Sequence, residues 1–175
     1  MKPRYLSWDD VKGQCLEIVR QLYADNWRPD YLVGITRGGV VPGAMLSHFM
    51  NLPLETVKVS LRDDGQTESN LYMAEDAFGY SSETDLFFLG DRKKILIVDD
   101  INDSGATLSW IKNDWEENCF KGNPDWNNIW HKSVRFASLV NNSSSQFTVD
   151  YAALEINKLE NDEWIVFPWE NWWAK

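Results

Sequence analysis

The stretch Ile95-Leu96-Ile97-Val98-Asp99-Asp100-Ile101-Asn102-Asp103-Ser104-Gly105-Ala106-Thr107-Leu108 constrains this chain more than any other. Four consecutive apolar residues, Ile95 to Val98, are too few for a helix of their own and suit a parallel strand buried on both faces. Two carboxylates follow, Asp99 and Asp100, where open α/β sheets place their ligands, beyond the carboxyl ends of the strands. Asp103 to Thr107 is a tight turn rich in Ser, Gly and Thr, and Leu108, Ile111 and Trp115 then recur at helical spacing. A turn of that kind opening a helix leaves backbone N–H groups unpaired at the positive end of the helix dipole, which is a seat for a phosphate. Asp99 and Asp100 are suited to ribose hydroxyls and Asp103 to Thr107 to a sugar phosphate, so the stretch reads as a site for phosphorylated ribose. It is neither a Walker A loop nor GxGxxG. An ordinary strand followed by an Asp-capped helix would draw on the same residues.

A second unit of the same kind lies upstream. Tyr31 to Thr36 reads as a buried strand, Arg37-Gly38-Gly39 as a tight turn, and Val40 to Met50 as a helix with Pro42 near its start. The two glycines allow backbone to come close to a ligand, and Arg37 adds a cation. Beside the central stretch, this turn is expected to cradle pyrophosphate. Ser7 caps a first helix with Asp9 and Asp10 in its opening turn, and Val11, Cys15, Ile18 and Leu22 give it one apolar face. Leu54 to Ser60, Ser133 to Val140 and Phe147 to Ile156 read as further strands. Strands alternating with helices at this spacing indicate an α/β fold built on an open parallel sheet flanked by helices.

Between Arg62 and Arg92 the sequence is mostly polar, with Leu71-Tyr72-Met73 and Leu86-Phe87-Phe88-Leu89 read as short strands. A lid over the reaction and a plain surface insertion are both open readings of it. The tail from Glu163 to Trp173 is too aromatic for a frayed end, so most of its rings are expected to close the core or an interface.

The net charge of −10 argues against a nucleic-acid surface and makes a polyanionic substrate depend on local attraction from backbone N–H groups, Arg37 and a divalent metal. Mg²⁺ is expected for that reason. No apolar run reaches the length of a membrane span and the first residues lack a signal sequence, so the chain reads as cytoplasmic. Cys15 and Cys119 are far apart with no metal spacing, and Cys15, on the apolar face of the first helix, is read as a buried reduced thiol.

Val98 to Leu108 resembles the phosphoribosyl pyrophosphate signature of type I phosphoribosyltransferases. Val33 to Ala44 and Trp164-Ile165-Val166-Phe167-Pro168-Trp169-Glu170 are similar to segments of the xanthine-guanine (6-oxopurine) branch, in the same order. The resemblance implies transfer of 5-phosphoribose to a purine base of the xanthine, guanine or hypoxanthine type, with release of pyrophosphate, in nucleotide salvage. It implies that Asp99 and Asp100 hold the ribose hydroxyls directly or through Mg²⁺, and that Asp103 is general base toward a ring nitrogen. Ser104, Gly105, Ala106 and Thr107 would bind the 5′-phosphate, and Arg37, Gly38 and Gly39 the pyrophosphate. Trp164 would stack on the base and the Ile165 backbone would contact its edge. Residues 1–156 would form the core, with a long loop over about 61–92, and residues 157–175 a C-terminal hood over the base. A homodimer or homotetramer is expected.

One feature departs from the family pattern. The lysine that donates to the purine's exocyclic oxygen should end the strand before the hood, where this chain has Leu139-Val140-Asn141-Asn142. Asn142 takes that place as a neutral donor, about half as strong. A transferase for another base, and a non-catalytic sensor of phosphoribosyl pyrophosphate or a nucleotide, therefore stand as alternatives.

Overall fold

The structure, a computed structural model, describes residues 2–59, 71–79 and 92–170. Five strands form the main sheet, all parallel: β2 (Tyr31–Thr36), β3 (Leu54–Lys58), β4 (Ile95–Asn102), β5 (Val134–Asn142) and β6 (Tyr151–Ile156). Their spatial order is β3-β2-β4-β5-β6. Chain order therefore reverses between β2 and β4, and that switch point is where doubly wound sheets open a crevice for ligands.

The apolar run of β4 is buried because both faces of the sheet are covered. Ile95 and Ile97 point into one core, with Leu108, Ile111 and Trp115 of α4 (Ala106–Asn118) and Met73 and Phe78 of α3 (Leu71–Phe78). Leu96 and Val98 point into the other, with Val11, Cys15, Ile18 and Leu22 of α1 (Trp8–Ala24) and Leu46 and Met50 of α2 (Val40–Met50). The period of two along the strand thus feeds two separate layers. The expected capping of α1 is present: Ser7 Oγ accepts from the Asp10 N–H at 3.1 Å and the Asp10 carboxylate accepts from the Ser7 N–H at 2.7 Å.

Trp115, Trp126 and Trp130 help to close the first core. Trp126 and Trp130 stack at 5.2 Å, Trp115 lies 5.7 Å from Trp130, and Phe136 lies 5.9 Å from Trp130. Trp126 sits in a short 3₁₀ helix, Pro124–Asn128.

Three expectations need correction. Leu71-Tyr72-Met73 is not a strand but the start of α3, whose buried residues Met73, Ala74, Ala77 and Phe78 have helical spacing. The last strand of the main sheet begins at Tyr151 rather than Phe147, because Phe147 turns inward against Phe136, 4.8 Å away, before pairing starts. The carboxylates do not follow β4 but lie within it, since its pairing with β5 continues through Asp99, Ile101 and Asn102. Leu86-Phe87-Phe88-Leu89 lies outside the described residues.

A second, two-stranded parallel sheet joins β1 (Lys2–Tyr5) to β7 (Glu163–Val166). All four residues of β1 are exposed, so no alternation of polarity announces the strand; β7 supplies the partner that makes it one.

Candidate active site

The tips of β2 and β4 meet. A Cβ on Gly38 would fall on the Asp100 carboxylate, and one on Gly39 would fall on the carbonyl oxygen of Val98. Only glycine permits the Arg37-Gly38-Gly39 turn to lie so close to the end of β4. The Thr36–Arg37 peptide bond in this turn is cis, and the Arg37 side chain is exposed.

Asp99 through Leu108 then line one cavity of about 420 Å³, together with Val59. Asp99 is 9% exposed, and its Oδ1 accepts from the Asp100 N–H at 3.0 Å. Asp100 Oδ1 accepts from the Ile101 N–H at 2.8 Å. Burial, reinforced by the neighbouring Asp100 charge, pushes the Asp99 carboxyl well above the usual carboxylate range. Burial likewise pushes Asp100 up to about 6, with the negative charge of Glu170 adding to the effect. Hydroxyl donors or a cation would relieve the repulsion within this pair.

Gly105 caps α4 with φ of 86° and offers no side chain to the helix N-terminus. A Cβ there would approach Phe147 N to 2.6 Å, so the turn also requires glycine for space. The Ala106 N–H reaches Ser104 Oγ at 3.3 Å. The remaining first-turn N–H groups have no side-chain cap and belong to residues lining the cavity, the geometry of a phosphate seat.

Asp103 stands exposed on the cavity wall, and two groups from distant segments converge on it. Asn142 Nδ2 donates to its carbonyl oxygen at 3.1 Å and to its Oδ1 at 3.2 Å. Lys158 Nζ donates to its Oδ2 at 2.7 Å. Asn142 Oδ1 in turn accepts from the backbone N–H groups of Ser144 at 3.3 Å and Lys158 at 3.2 Å, and from Ser144 Oγ at 3.0 Å. The buried Asn142 amide is thus engaged on both sides within the protein. Sequence reasoning missed Lys158, which lies between β6 and β7. One signal for it existed: it is the single cation between Glu155 and Glu163, among four acids.

The aromatic tail divides in two. Trp169 stacks on Phe167 at 4.7 Å and lies 5.9 Å from Trp8, closing the second core. Trp164 on β7 is 56% exposed, while Ile165 beside it is buried and opposite Arg4 of β1 in register. Neither residue lines the 420 Å³ cavity. The structure therefore brings together Asp99, Asp100, Asp103 and Ser104 to Thr107 on one wall, sets Gly38 and Gly39 against it, and ties Asn142 to it. Trp164 and Ile165 stand apart on the smaller sheet.

This arrangement has relatives. The chain is 22% identical over 187 residues to xanthine phosphoribosyltransferase 1 of Saccharomyces cerevisiae, an overlap covering 95% of this chain and 88% of that protein. It is 28% identical over 173 residues to the xanthine-guanine phosphoribosyltransferase of Cereibacter sphaeroides, covering 95% of this chain and 86% of that one. The crystal structure of a purine phosphoribosyltransferase from Pyrococcus horikoshii superposes with a TM-score of 0.65 at 24% identity, over 97% of this chain and 95% of that one. The model of the phosphoribosyl transferase domain matches residues 4–173. With that match running almost end to end, and a glycine turn, two carboxylates and an uncapped helix tip meeting at the sheet's switch point, the chain belongs to the phosphoribosyl transferase domain family.

Proposed function

We propose that the protein transfers 5-phosphoribose from phosphoribosyl pyrophosphate to a purine base, releasing pyrophosphate. One observation carries the reading: the Arg37–Gly39 turn abuts Asp100, and Asp99 and Asp100 share one cavity with the N-terminus of α4. A sugar bearing a phosphate at one end and a diphosphate at the other needs receptors on both sides of its ring. In this reading Ser104 to Thr107 hold the 5′-phosphate and Arg37 to Gly39 the pyrophosphate, while Asp99 and Asp100 accept from the ribose hydroxyls. The purine-named relatives favour a purine, of the xanthine, guanine or hypoxanthine type, as the acceptor.

Negative charge grows on the departing pyrophosphate, and positive charge on the ribose ring, as the C1′–O bond loosens. Backbone N–H groups and Arg37 offset the first; the Asp99–Asp100 pair offsets the second. Asp103 takes the proton from a ring nitrogen of the base as a second nitrogen bonds to C1′. Asp99 and Asp100 also suit a hard divalent cation such as Mg²⁺, being two adjacent oxygen donors whose mutual repulsion a cation relieves. Among the described residues no three His, Cys, Asp or Glu side chains form a metal cluster, so the substrate's own oxygens would complete the coordination. Bound there, the ion would add charge stabilisation for the leaving group.

In this reading residues 1–156 serve as the core, to which α3 contributes, and residues 157–175 as the hood over the base. β1 backs the hood from the N-terminal side. Among the described residues no helix is long and apolar enough to cross a membrane. The reading further assigns the activity to the cytoplasm, with no nucleic-acid partner, in a homodimer or homotetramer. Incubation with phosphoribosyl pyrophosphate, Mg²⁺ and each of xanthine, guanine, hypoxanthine, adenine and orotate, followed by pyrophosphate assay, tests it. Release with one or more purines is expected. Release with orotate alone, or with no base, overturns the reading.

A further inference from the structure

Resting on that reading, we propose that Lys158, reaching the site from the loop between β6 and β7, selects purines that carry an oxygen at C6 over those that carry an amino group. In a purine, N7 and the C6 substituent share one edge; the C6 oxygen of a 6-oxopurine is an acceptor there, whereas the C6 amino group of adenine is a donor. A base that offers its N7 proton to the Asp103 carboxylate therefore sets its C6 substituent toward whatever lies beside that carboxylate. Lys158 Nζ lies there, 2.7 Å from Asp103 Oδ2.

An ammonium has three donors and no acceptor. It meets a C6 oxygen with a charge-assisted hydrogen bond, but faces an adenine amino group donor to donor. The proton balance is consistent with this placement. As the C1′–N9 bond forms and the C1′–oxygen bond breaks, pyrophosphate leaves with the bonding pair and the N7 proton passes to Asp103. The negative charge that the oxopurine carries through that transfer is shared onto its C6 oxygen, beside the lysine.

The local structure holds the lysine in place. Its backbone N–H donates to Asn142 Oδ1 at 3.2 Å, and the same Asn142 amide donates to Asp103. Asn142, at the end of β5, thus ties the carboxylate and the lysine's backbone to one another. The lysine side chain is 23% exposed and that of Asp103 51%, so solvent reaches the pair. The cation that recognises the base in this chain therefore comes from Lys158, and Asn142 is the strut that positions it.

The test compares wild type with Lys158→Met, which keeps the aliphatic stem, and Lys158→Arg, which keeps the charge. Two readouts are taken: kcat/KM for hypoxanthine and adenine with saturating phosphoribosyl pyrophosphate, and equilibrium binding of IMP, AMP and phosphoribosyl pyrophosphate by calorimetry. Lys158→Met is expected to narrow the hypoxanthine-to-adenine ratio, and the IMP-to-AMP ratio with it, by about tenfold to a hundredfold, the range for losing one oriented base-edge contact. Phosphoribosyl pyrophosphate affinity should stay within about threefold, and Lys158→Arg should retain most of the preference. An active wild type whose preference is unchanged in Lys158→Met, whose fold is checked by the retained phosphoribosyl pyrophosphate binding, overturns the proposal alone. If Lys158→Met does not fold, a Lys158→Arg variant that loses the preference while still binding phosphoribosyl pyrophosphate overturns it. A wild type that turns over no purine and binds neither monophosphate overturns the functional reading, and the proposal with it.

Discussion

The two halves of the site are built in opposite ways. The half proposed to hold phosphoribose comes from nearly contiguous sequence, Asp99 to Leu108, met by a three-residue turn from the neighbouring strand. Its parts are largely backbone: N–H groups at a helix tip, and glycines that let one turn rest against another. The half proposed to face the base is assembled from Asp103, Asn142 and Lys158, drawn from the ends of β4, β5 and β6, with Trp164 beyond on β7. It consists of side chains held by other side chains. Contact with a phosphate tolerates few alternatives, so its receptor stays local. Recognition of a base edge needs only the right donor at the right point, and several loops can bring one there.

Substitutions can break this contrast. The largest effect is expected where the halves join. Asp103→Ala should lower kcat by roughly 10²–10⁴ while leaving phosphoribosyl pyrophosphate affinity nearly unchanged, as steady-state kinetics and calorimetry would register. An equal loss of phosphoribosyl pyrophosphate binding would show that the halves are not separable.

Gly38→Ala tests the backbone half. The added methyl displaces the Asp100 carboxylate, and a shift of that size costs about 10² in rate when it misplaces a reacting group. The loss should appear as weaker phosphoribosyl pyrophosphate binding and not as altered choice of base. Trp164→Ala tests the other half: stacking of roughly 1–3 kcal/mol per base predicts a KM for the base raised about 5- to 150-fold. Because the ring is 56% exposed, the melting temperature should hardly move. A large fall in melting temperature would assign Trp164 to the core instead.

The smallest effect has the opposite sign. Asp100 titrates near 6 in the folded chain, so between about pH 4 and 6 the unfolded chain gives up a proton that the folded chain keeps. Rising pH over that interval favours unfolding, and the carboxylate weakens the fold at neutral pH. Asp100→Asn should therefore raise the melting temperature by a few degrees at pH 7.5, for a gain on the order of 1–3 kcal/mol, and by almost nothing at pH 4. The same variant should lose phosphoribosyl pyrophosphate binding. Melting curves at the two pH values check the sign.

Legibility in the sequence follows the same division. The Ser7 cap, the β4 core, the Arg37–Gly39 turn and the Asp103–Thr107 helix opening were all readable, because each is decided by residues within a few positions of one another. Leu71 to Met73 misled because three apolar residues fit a strand as well as a helix; the helical period shows only when Ala77 and Phe78 are included. β1 carries no pattern of its own and exists through β7. Asn142 was read as the group facing the base, yet its amide is bonded within the protein on both sides, and the cation beside Asp103 belongs to a loop that reads as plain polar sequence.

Sequence alone determined that this chain has a buried parallel strand carrying paired carboxylates, followed by a glycine turn that opens a helix, since strand burial, turn geometry and helix capping are all short-range properties. Tertiary structure decided that Gly38 touches Asp100 and that Lys158 touches Asp103. The two members of the second pair are 55 residues apart in the chain. A hydrogen bond needs its atoms within about 3 Å, and what sets that distance is the strand order of the sheet, which no local pattern encodes.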